Sequence, residues 1–177
     1  LNTDATDLLS LTRAELDGQL QTKRLTEALR ENVPGFENCF ISSIAPSIGV
    51  RETRRFKGIY KLTADEICDG KIDENTIALG AYKIDIHSGT DRSTIFKAVK
   101  QPFGIPYGSL VSAEISNLMF AGRCVSCDNE TLAAIRVMPQ CMNMGEAAGI
   151  GAAMAIEGGI TPAAVSVADV RAALLDG

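Results

Sequence analysis

The spacing of apolar residues predicts one long helix followed by several strands. Between Asp7 and Arg30 the leucines recur at helical intervals, which predicts an amphipathic helix ended by the proline and glycine of residues 32–35. Apolar runs with partial alternation predict strands at residues 39–44, 48–60 and 76–86. The first part of the chain is therefore expected to join one helix to a set of strands.

The pattern changes in residues 117–157, around which the rest of the chain is organised. Residues 118–121 form a short apolar run, which predicts a strand buried on both faces. A long turn follows, and Pro139 suits the first turn of a helix of small residues. Glycine is costly inside a helix, so a sheet, a second helix or a flat cofactor is expected close to its backbone. The glycines concerned are Gly145, Gly149 and Gly151.

Shorter elements are marked by capping signals. Thr63 and Glu66 form a capping box, which predicts a short helix through about Asp69. The pair Gly158-Gly159 predicts the end of the small-residue helix, and a short helical turn is expected at Pro162. A last helix is expected from a cap at residues 166–169 through about residue 175.

Composition narrows the class of protein. The chain has 177 residues and a net charge of −5, with one basic cluster at residues 51–55, so nucleic acid is not an expected partner. No apolar stretch reaches the roughly 20 residues of a membrane span. Five cysteines without framework spacing indicate a reducing, cytoplasmic compartment. The chain begins at Leu1 rather than Met, which suggests an excised piece and leaves open a leader on its parent.

Several side chains are candidates for binding or catalysis. Arg51, Arg54 and Arg55 form either a solvated sheet face or an anchor for carboxylate or phosphate groups. His87 is the single histidine, directly after a predicted strand, and is either structural or able to exchange a proton near neutral pH. Tyr107 is either an interfacial core residue or a hydrogen-bonding partner for a ligand.

The Cys124-x-x-Cys127 pair invites two further interpretations. A structural zinc site needs four ligands, and no second pair is suitably spaced, so no metal is expected. A thiol-redox motif is disfavoured because residues 128–130 are acidic or polar and would raise a thiol pKa. The pair is interpreted as incidental.

The segment NLMFAGR…LAAIRVMPQCMNMGEAAGIGAAMAI resembles the C-terminal end of FAD-dependent oxidoreductases of the glutathione-reductase-like superfamily. The likeness is greatest to a bacterial family distantly related to the fumarate reductase flavoproteins, and it extends to residues 49–67, 78–89 and 101–110. It implies an α+β fragment: an antiparallel substrate-domain sheet plus the last strand and helix of an FAD-binding domain. The implied regions are an N-terminal helix (1–36), a substrate-domain-like sheet region (37–112) and a C-terminal segment of the FAD-binding domain (113–177).

The resemblance also assigns roles to residues. It implies FAD contacts in the turn and at the start of the following helix, at Gly122, Arg123, Arg136, Met138, Pro139 and Cys141. For Arg136 the alternatives are a substrate contact or an ordinary turn salt bridge with Glu130. Many relatives place a residue near the ribityl chain at the position of Arg123, and in the fumarate reductases this residue is often acidic, so Arg123 departs from that pattern. The resemblance implies catalytic roles for His87 and Arg51, and substrate contacts for Arg54, Arg55 and Tyr107.

The dinucleotide fingerprint G-x-G-x-x-G is absent from these 177 residues. The expected partners are thus a missing N-terminal dinucleotide-binding region and a small-molecule substrate. The parent would move a hydride or electron pair between FAD and an organic substrate, whereas the fragment alone is expected to be inactive. The alternative is a non-catalytic ligand-binding or interaction module that retains the fold.

Overall fold

The computed structural model describes residues 3–87 and 94–176. The chain divides into two compact units, residues 1–53 and residues 54–177. Helices and small antiparallel sheets make up the structure, so the α+β class is confirmed. The division into three regions at residues 36 and 112 stays a prediction.

The first unit is built on helix α1, Leu8–Asn32, which confirms the predicted amphipathic helix. Asp7 caps its start by accepting a hydrogen bond from the amide of Ser10 at 2.7 Å. Ala14 is the buried residue of this helix. Its leucines remain largely exposed within the described structure, namely Leu8, Leu9, Leu16, Leu20 and Leu25.

The predicted strand at residues 39–44 is wrong, because the described structure has no strand there. A strand needs a neighbour whose backbone groups satisfy its own. Just after this stretch, the backbone amide of Ile48 donates a hydrogen bond to the carboxylate of Glu15 in α1 at 2.8 Å, rather than to a neighbouring strand. The predicted strand at 48–60 is also wrong, since only an isolated bridge between Gly58 and Ser112 forms in that stretch.

The second unit contains two antiparallel strand pairs. Strand β1 (Thr76–Gly80) pairs with β4 (Phe103–Pro106), and β2 (Ile84–His87) pairs with β3 (Thr94–Lys97). The single strand predicted for residues 76–86 is therefore two strands, each with a different partner. The interruption at residues 81–83 lets the chain leave one pair and enter the other. The excursion or hairpin expected at residues 92–101 includes residues 92 and 93, which lie outside the described residues.

Five helices and three short 3-10 turns complete the described part of the chain. The helices of the second unit are α2 (Ala64–Cys68), α3 (Asn129–Ile135), α4 (Met138–Gly158) and α5 (Val167–Asp176). The 3-10 turns are Tyr107–Ser109, Gly122–Cys124 and Pro162–Ala164. Helix α4 packs against β1 and α5, and α3 packs against β2. The fully buried core includes Ile67, Ile84, Phe103, Ile105, Leu110, Leu132, Ile135, Met144 and Val170.

The capping signals are confirmed. Thr63 and Glu66 form the capping box of α2. Pro139 lies in the first turn of α4, and Gly159 ends that helix with a φ of 60° in the left-handed region. The hydroxyl of Ser166 accepts a hydrogen bond from the amide of Asp169 at 3.3 Å, at the start of α5.

The buried strand predicted at residues 118–121 is wrong. This segment makes one isolated bridge, between Met119 and Val111. Apart from a turn bond from Leu118 N to Ile115 O at 3.2 Å, its described backbone bonds reach one neighbouring segment, with Phe120 N donating to Leu110 O at 2.9 Å and Ser112 N donating to Leu118 O at 3.0 Å. A strand buried on both faces needs partners on both edges, and the described residues supply only one.

Candidate functional site

The candidate site begins at a sharp turn that lies beside the start of α4. Gly122 has a φ of 78°, a left-handed conformation that favours glycine. A Cβ placed on Gly122 would stand 3.9 Å from the sulfur of Cys141. The 3-10 turn Gly122–Cys124 therefore lies against the first turn of α4.

The N-terminus of α4 has no side-chain cap. Val137 occupies the N-cap position without a side-chain hydrogen bond, and the first turn contains no acidic residue. The first bond of this helix runs from Cys141 N to Val137 O at 3.1 Å, so the amides of Met138 and Gln140 precede it. Met138 is 79% exposed. The first turn of α4 therefore supplies no carboxylate of its own to neutralise the positive end of the helix dipole.

Two side chains at this helix start show further features. Gln140 is 6% exposed, and its amide oxygen has no hydrogen-bond partner among the described residues. Burial raises the pKa of the Cys141 thiol, and the nearby Arg123 guanidinium opposes this rise. Arg123 is exposed, so its charge is on the solvent side of the turn.

Arg136 connects this helix start to the strand that carries the candidate histidine. It ends α3, immediately before the cap of α4. Its guanidinium Nη2 donates a hydrogen bond to the backbone oxygen of Asp85 at 3.0 Å. Asp85 belongs to β2, which ends at His87. The side chain of His87 lies outside the described residues, so its role stays a prediction.

The three arginines of the basic cluster are all exposed, with Arg51 in the first unit and the other two in the second. The guanidinium Nη1 of Arg55 lies 3.1 Å from the side-chain oxygen of Asn129, the first residue of α3. Arg55 is thereby placed at the start of that helix. The proposed contacts of Arg51, Arg54 and Arg55 stay predictions.

Tyr107 is 2% exposed and forms part of the core. Its hydroxyl donates a hydrogen bond to the backbone oxygen of Pro162 at 3.1 Å. A Cβ on Gly151 would come within 2.5 Å of that hydroxyl oxygen. This placement favours the core role of Tyr107. The substrate contact of Tyr107 stays a prediction.

The small-residue helix is thus approached closely at one of its three interior glycines, Gly145, Gly149 and Gly151. Tyr107 covers Gly151, as expected from the cost of glycine in a helix. No heavy atom of the described structure outside the immediate helix backbone would lie within 4 Å of a Cβ at Gly145 or Gly149. That face of α4 is therefore uncovered by the described residues.

All five cysteines are free thiols. Cys127 is buried, and the thiol of Cys124 lies 3.3 Å from the backbone oxygen of Ala121. Within residues 3–87 and 94–176, no three of the metal-ligating side chains His, Cys, Asp and Glu are grouped to hold an ion. Over the same residues, no helix combines the length and the apolar character that crossing a bilayer requires.

Sequence reasoning missed helix α3 and the residue that anchors it. Asp128 caps α3 by accepting from Thr131 N at 2.8 Å, and its other oxygen accepts from Ala64 N at 2.8 Å. One carboxylate thus caps the starts of α3 and α2. The sequence feature that could have indicated α3 is Asp128, a residue type favoured at helix starts, followed by helix-forming residues. Nothing in the sequence signalled the bond between Arg136 and Asp85, because it joins residues far apart in the chain.

Comparison with protein families identifies the chain. The family model described as FAD dependent oxidoreductase matches residues 1–174. The chain therefore belongs to the FAD dependent oxidoreductase family, which supports a redox function with FAD and an enzyme parent. No curated protein and no solved structure matches it.

The described residues fit the ring end of a flavin. The uncapped start of α4 offers backbone amides and a positive dipole, which suit an electron-rich ring edge. The left-handed turn at Gly122 has no side chain to obstruct a flat ligand. The diphosphate end has no counterpart here, because these residues contain no glycine fingerprint.

Proposed function

We propose that this chain is the C-terminal portion of a bacterial, cytoplasmic FAD-dependent oxidoreductase of the glutathione-reductase-like superfamily. The parent transfers a hydride or an electron pair between FAD and a small organic substrate. The uncapped start of α4, in a chain matched to the family over residues 1–174, carries the proposal.

The start of α4 supplies electrostatic stabilisation. Bound FAD accepts and donates the electrons, and this chain orients it. The amides of Met138 and Gln140, with the dipole of the 21-residue helix behind them, stabilise negative charge on the flavin pyrimidine edge. Pro139 has no amide hydrogen and holds the first turn in helical geometry. Gly122 and Arg123 belong to the turn beside the helix start, where the Cys141 sulfur lies against Gly122, and these three residues would contact the bound flavin.

The substrate side is formed by β2 and the basic residues. Arg136 holds β2 through the backbone oxygen of Asp85 and thereby positions His87 at the strand end. His87 exchanges a proton with the substrate, since imidazole titrates near neutral pH. The guanidinium groups of Arg51, Arg54 and Arg55 bind acidic groups of the substrate.

The diphosphate of FAD is bound by an N-terminal region that these residues lack. The isolated 177-residue chain therefore binds FAD weakly or not at all and is inactive. Tight, stoichiometric binding of FAD by the isolated chain would contradict this part of the proposal.

A pair of charge substitutions on α4 tests the electrostatic role in the complete protein. Met138 and Ile156 are exposed by 79% and 81%, at opposite ends of the helix, so both tolerate a carboxylate. Met138→Glu places a negative charge at the helix start and is expected to lower the flavin midpoint potential by on the order of 10 mV. Ile156→Glu is the control and is expected to leave the potential unchanged. Equal potentials in the two variants would remove the proposed role of the helix start.

A further inference from the structure

A second cleft lies in residues 54–177, apart from the start of α4. Its volume is about 290 Å³, near the lower end of the range for small-molecule pockets. It shares only Tyr107 with the residues considered above, and the hydroxyl of Tyr107 is bonded to Pro162. The walls come from the chain around Tyr60, the turn at Asp73, the end of β4 and the start of α5.

One wall of the cleft is Tyr60, whose hydroxyl makes two hydrogen bonds. The hydroxyl donates to the Glu66 carboxylate and accepts from Lys71 Nζ at 3.0 Å. The same ammonium is 5.4 Å from the ring centroid, so it lies beyond the hydroxyl edge rather than over a face. Lys71 therefore does not itself cover a face of the Tyr60 ring.

The opposite walls are apolar. Pro106 and Val165 are buried, and Val167 is half-buried at the start of α5. Ile59 is 52% exposed and forms the rim. An apolar body placed between these side chains and Tyr60 would lose its contact with water, which is the main source of affinity for such a group.

Three charged side chains beside the cleft, Glu66, Lys71 and Asp73, form linked ion pairs and together carry one negative charge. Asp73 is the lining residue with a charged side chain, and its Oδ1 accepts from Asn75 N at 2.9 Å. Its Oδ2 is 3.8 Å from Lys71 Nζ, beyond hydrogen-bond distance, whereas Lys71 is 2.8 Å from Glu66. Arg171 nearby bonds the backbone oxygen of Glu74 at 3.1 Å. Oδ2 of Asp73 is therefore in a long ion pair with Lys71 but accepts no hydrogen bond from it.

We propose that this cleft binds a small organic ammonium compound with an apolar body, separately from the flavin. The ammonium group donates to Asp73 Oδ2 in a charge-assisted hydrogen bond. The apolar body packs against the ring of Tyr60 and against Val165 and Val167. An anionic ligand of the same shape is excluded, because it would bring a second negative charge to Asp73.

Ligand-observed NMR titration of the protein tests this assignment with three probes of one shape. The probes are 2-phenylethylammonium, the neutral 2-phenylethanol and the anion 3-phenylpropionate. We expect saturable binding of the ammonium, with the neutral probe weaker by roughly tenfold or more and the anion weakest. Absence of saturable ammonium binding, or tighter binding of the anion, would overturn the proposal.

Three substitutions locate the binding. Asp73→Asn keeps the Oδ1 acceptor for Asn75 N, so the turn is preserved, and it is expected to weaken ammonium binding roughly tenfold or more. Ala163→Phe fills the cleft from an exposed position and is expected to abolish binding of all three probes. Asp17→Asn, on exposed α1, is the control and is expected to change nothing. Unchanged affinity in Asp73→Asn and Ala163→Phe would place the ligand elsewhere and reject the assignment.

Discussion

The guanidinium Nη2 of Arg136 donates a hydrogen bond to the backbone oxygen of Asp85 across 3.0 Å. Arg136 lies between α3 and α4, and Asp85 lies two residues before His87 in β2. A side chain that bonds a strand carbonyl fixes backbone position directly. This bond therefore fixes the position of β2 relative to the start of α4. β2 carries His87, the proposed proton-exchanging group, and the start of α4 is proposed to face the flavin.

Replacing Arg136 is expected to loosen β2. In Arg136→Gln the shorter side chain cannot span to the Asp85 oxygen, so the strand opens more readily. Hydrogen–deuterium exchange of the backbone amides at residues 84–87 is expected to speed up several-fold, because one lost hydrogen bond is worth about 1 kcal/mol.

Arg123→Gln is the matched control for this exchange measurement. Arg123 is an exposed arginine in the 3-10 turn Gly122–Cys124, beside the start of α4. We expect exchange in β2 to remain at the wild-type rate in this variant. Equal exchange in Arg136→Gln and wild type would show that the bond does not restrain the strand.

Two glycines of α4 are expected to respond oppositely to alanine. At Gly151 a Cβ would come within 2.9 Å of the Tyr107 ring, so Gly151→Ala is expected to lower the free energy of unfolding by about 1–3 kcal/mol through overpacking. At Gly149 the space is open, and Gly149→Ala is expected to raise it by roughly 0.5–1 kcal/mol through helix propensity. Urea denaturation of the two variants measures both changes. A stabilising Gly151→Ala would show that Tyr107 does not pack as described.

Asp128 is expected to be important for stability because it caps two helices. Asp128→Ala leaves the amides of Thr131 and Ala64 without their acceptor and is expected to lower the free energy of unfolding by about 1–3 kcal/mol. Asp128→Asn keeps one acceptor oxygen and is expected to lose less. Urea denaturation of the two variants measures both losses of unfolding free energy. Equal losses would indicate that the negative charge of Asp128, rather than its hydrogen bonds to the helix amides, provides the stability.

Glu66 is expected to contribute a pH-dependent part of the stability. Partial burial acts to raise its pKa, but hydrogen bonds from Lys71, Tyr60 and Thr63 outweigh this effect and lower the pKa from 4.5 to about 2. The contribution is therefore complete above about pH 4.5 and is lost as the pH falls toward 2.

Urea denaturation of wild type and Glu66→Gln at several pH values tests this assignment. Lys71 is 46% exposed, so screening reduces the expected difference at pH 7 to roughly 1–2 kcal/mol. The difference is expected to shrink between pH 4.5 and pH 2. Glu157→Gln, at an exposed position, is the control and should follow wild type. A Glu66→Gln difference that does not change with pH would contradict the lowered pKa.

The elements that sequence predicted well are those with local causes. The capping box of Thr63 and Glu66, Pro139 at the start of α4 and Gly159 at its end each act within one helical turn. Short-range chemistry of this kind is visible in the sequence without knowledge of the fold.

The strand predictions failed because a strand pairs with a segment that is distant in the sequence. Residues 76–86 read as one strand, yet β1 pairs with β4 and β2 pairs with β3. The apolar run at residues 118–121 makes only a single bridge, since a strand depends on its neighbours rather than on its own composition. For the same reason the bond from Arg136 to Asp85 had no sequence signal, whereas the glycine turn and the proline at the start of α4 did.

The visible absorption spectrum of the complete protein, purified without added cofactor, tests the central claim most directly. The proposed function predicts flavin bands that bleach on reduction with dithionite. A colourless protein that also fails to take up added FAD would contradict the claim, and the chain would then be a ligand-binding or interaction module that retains the fold.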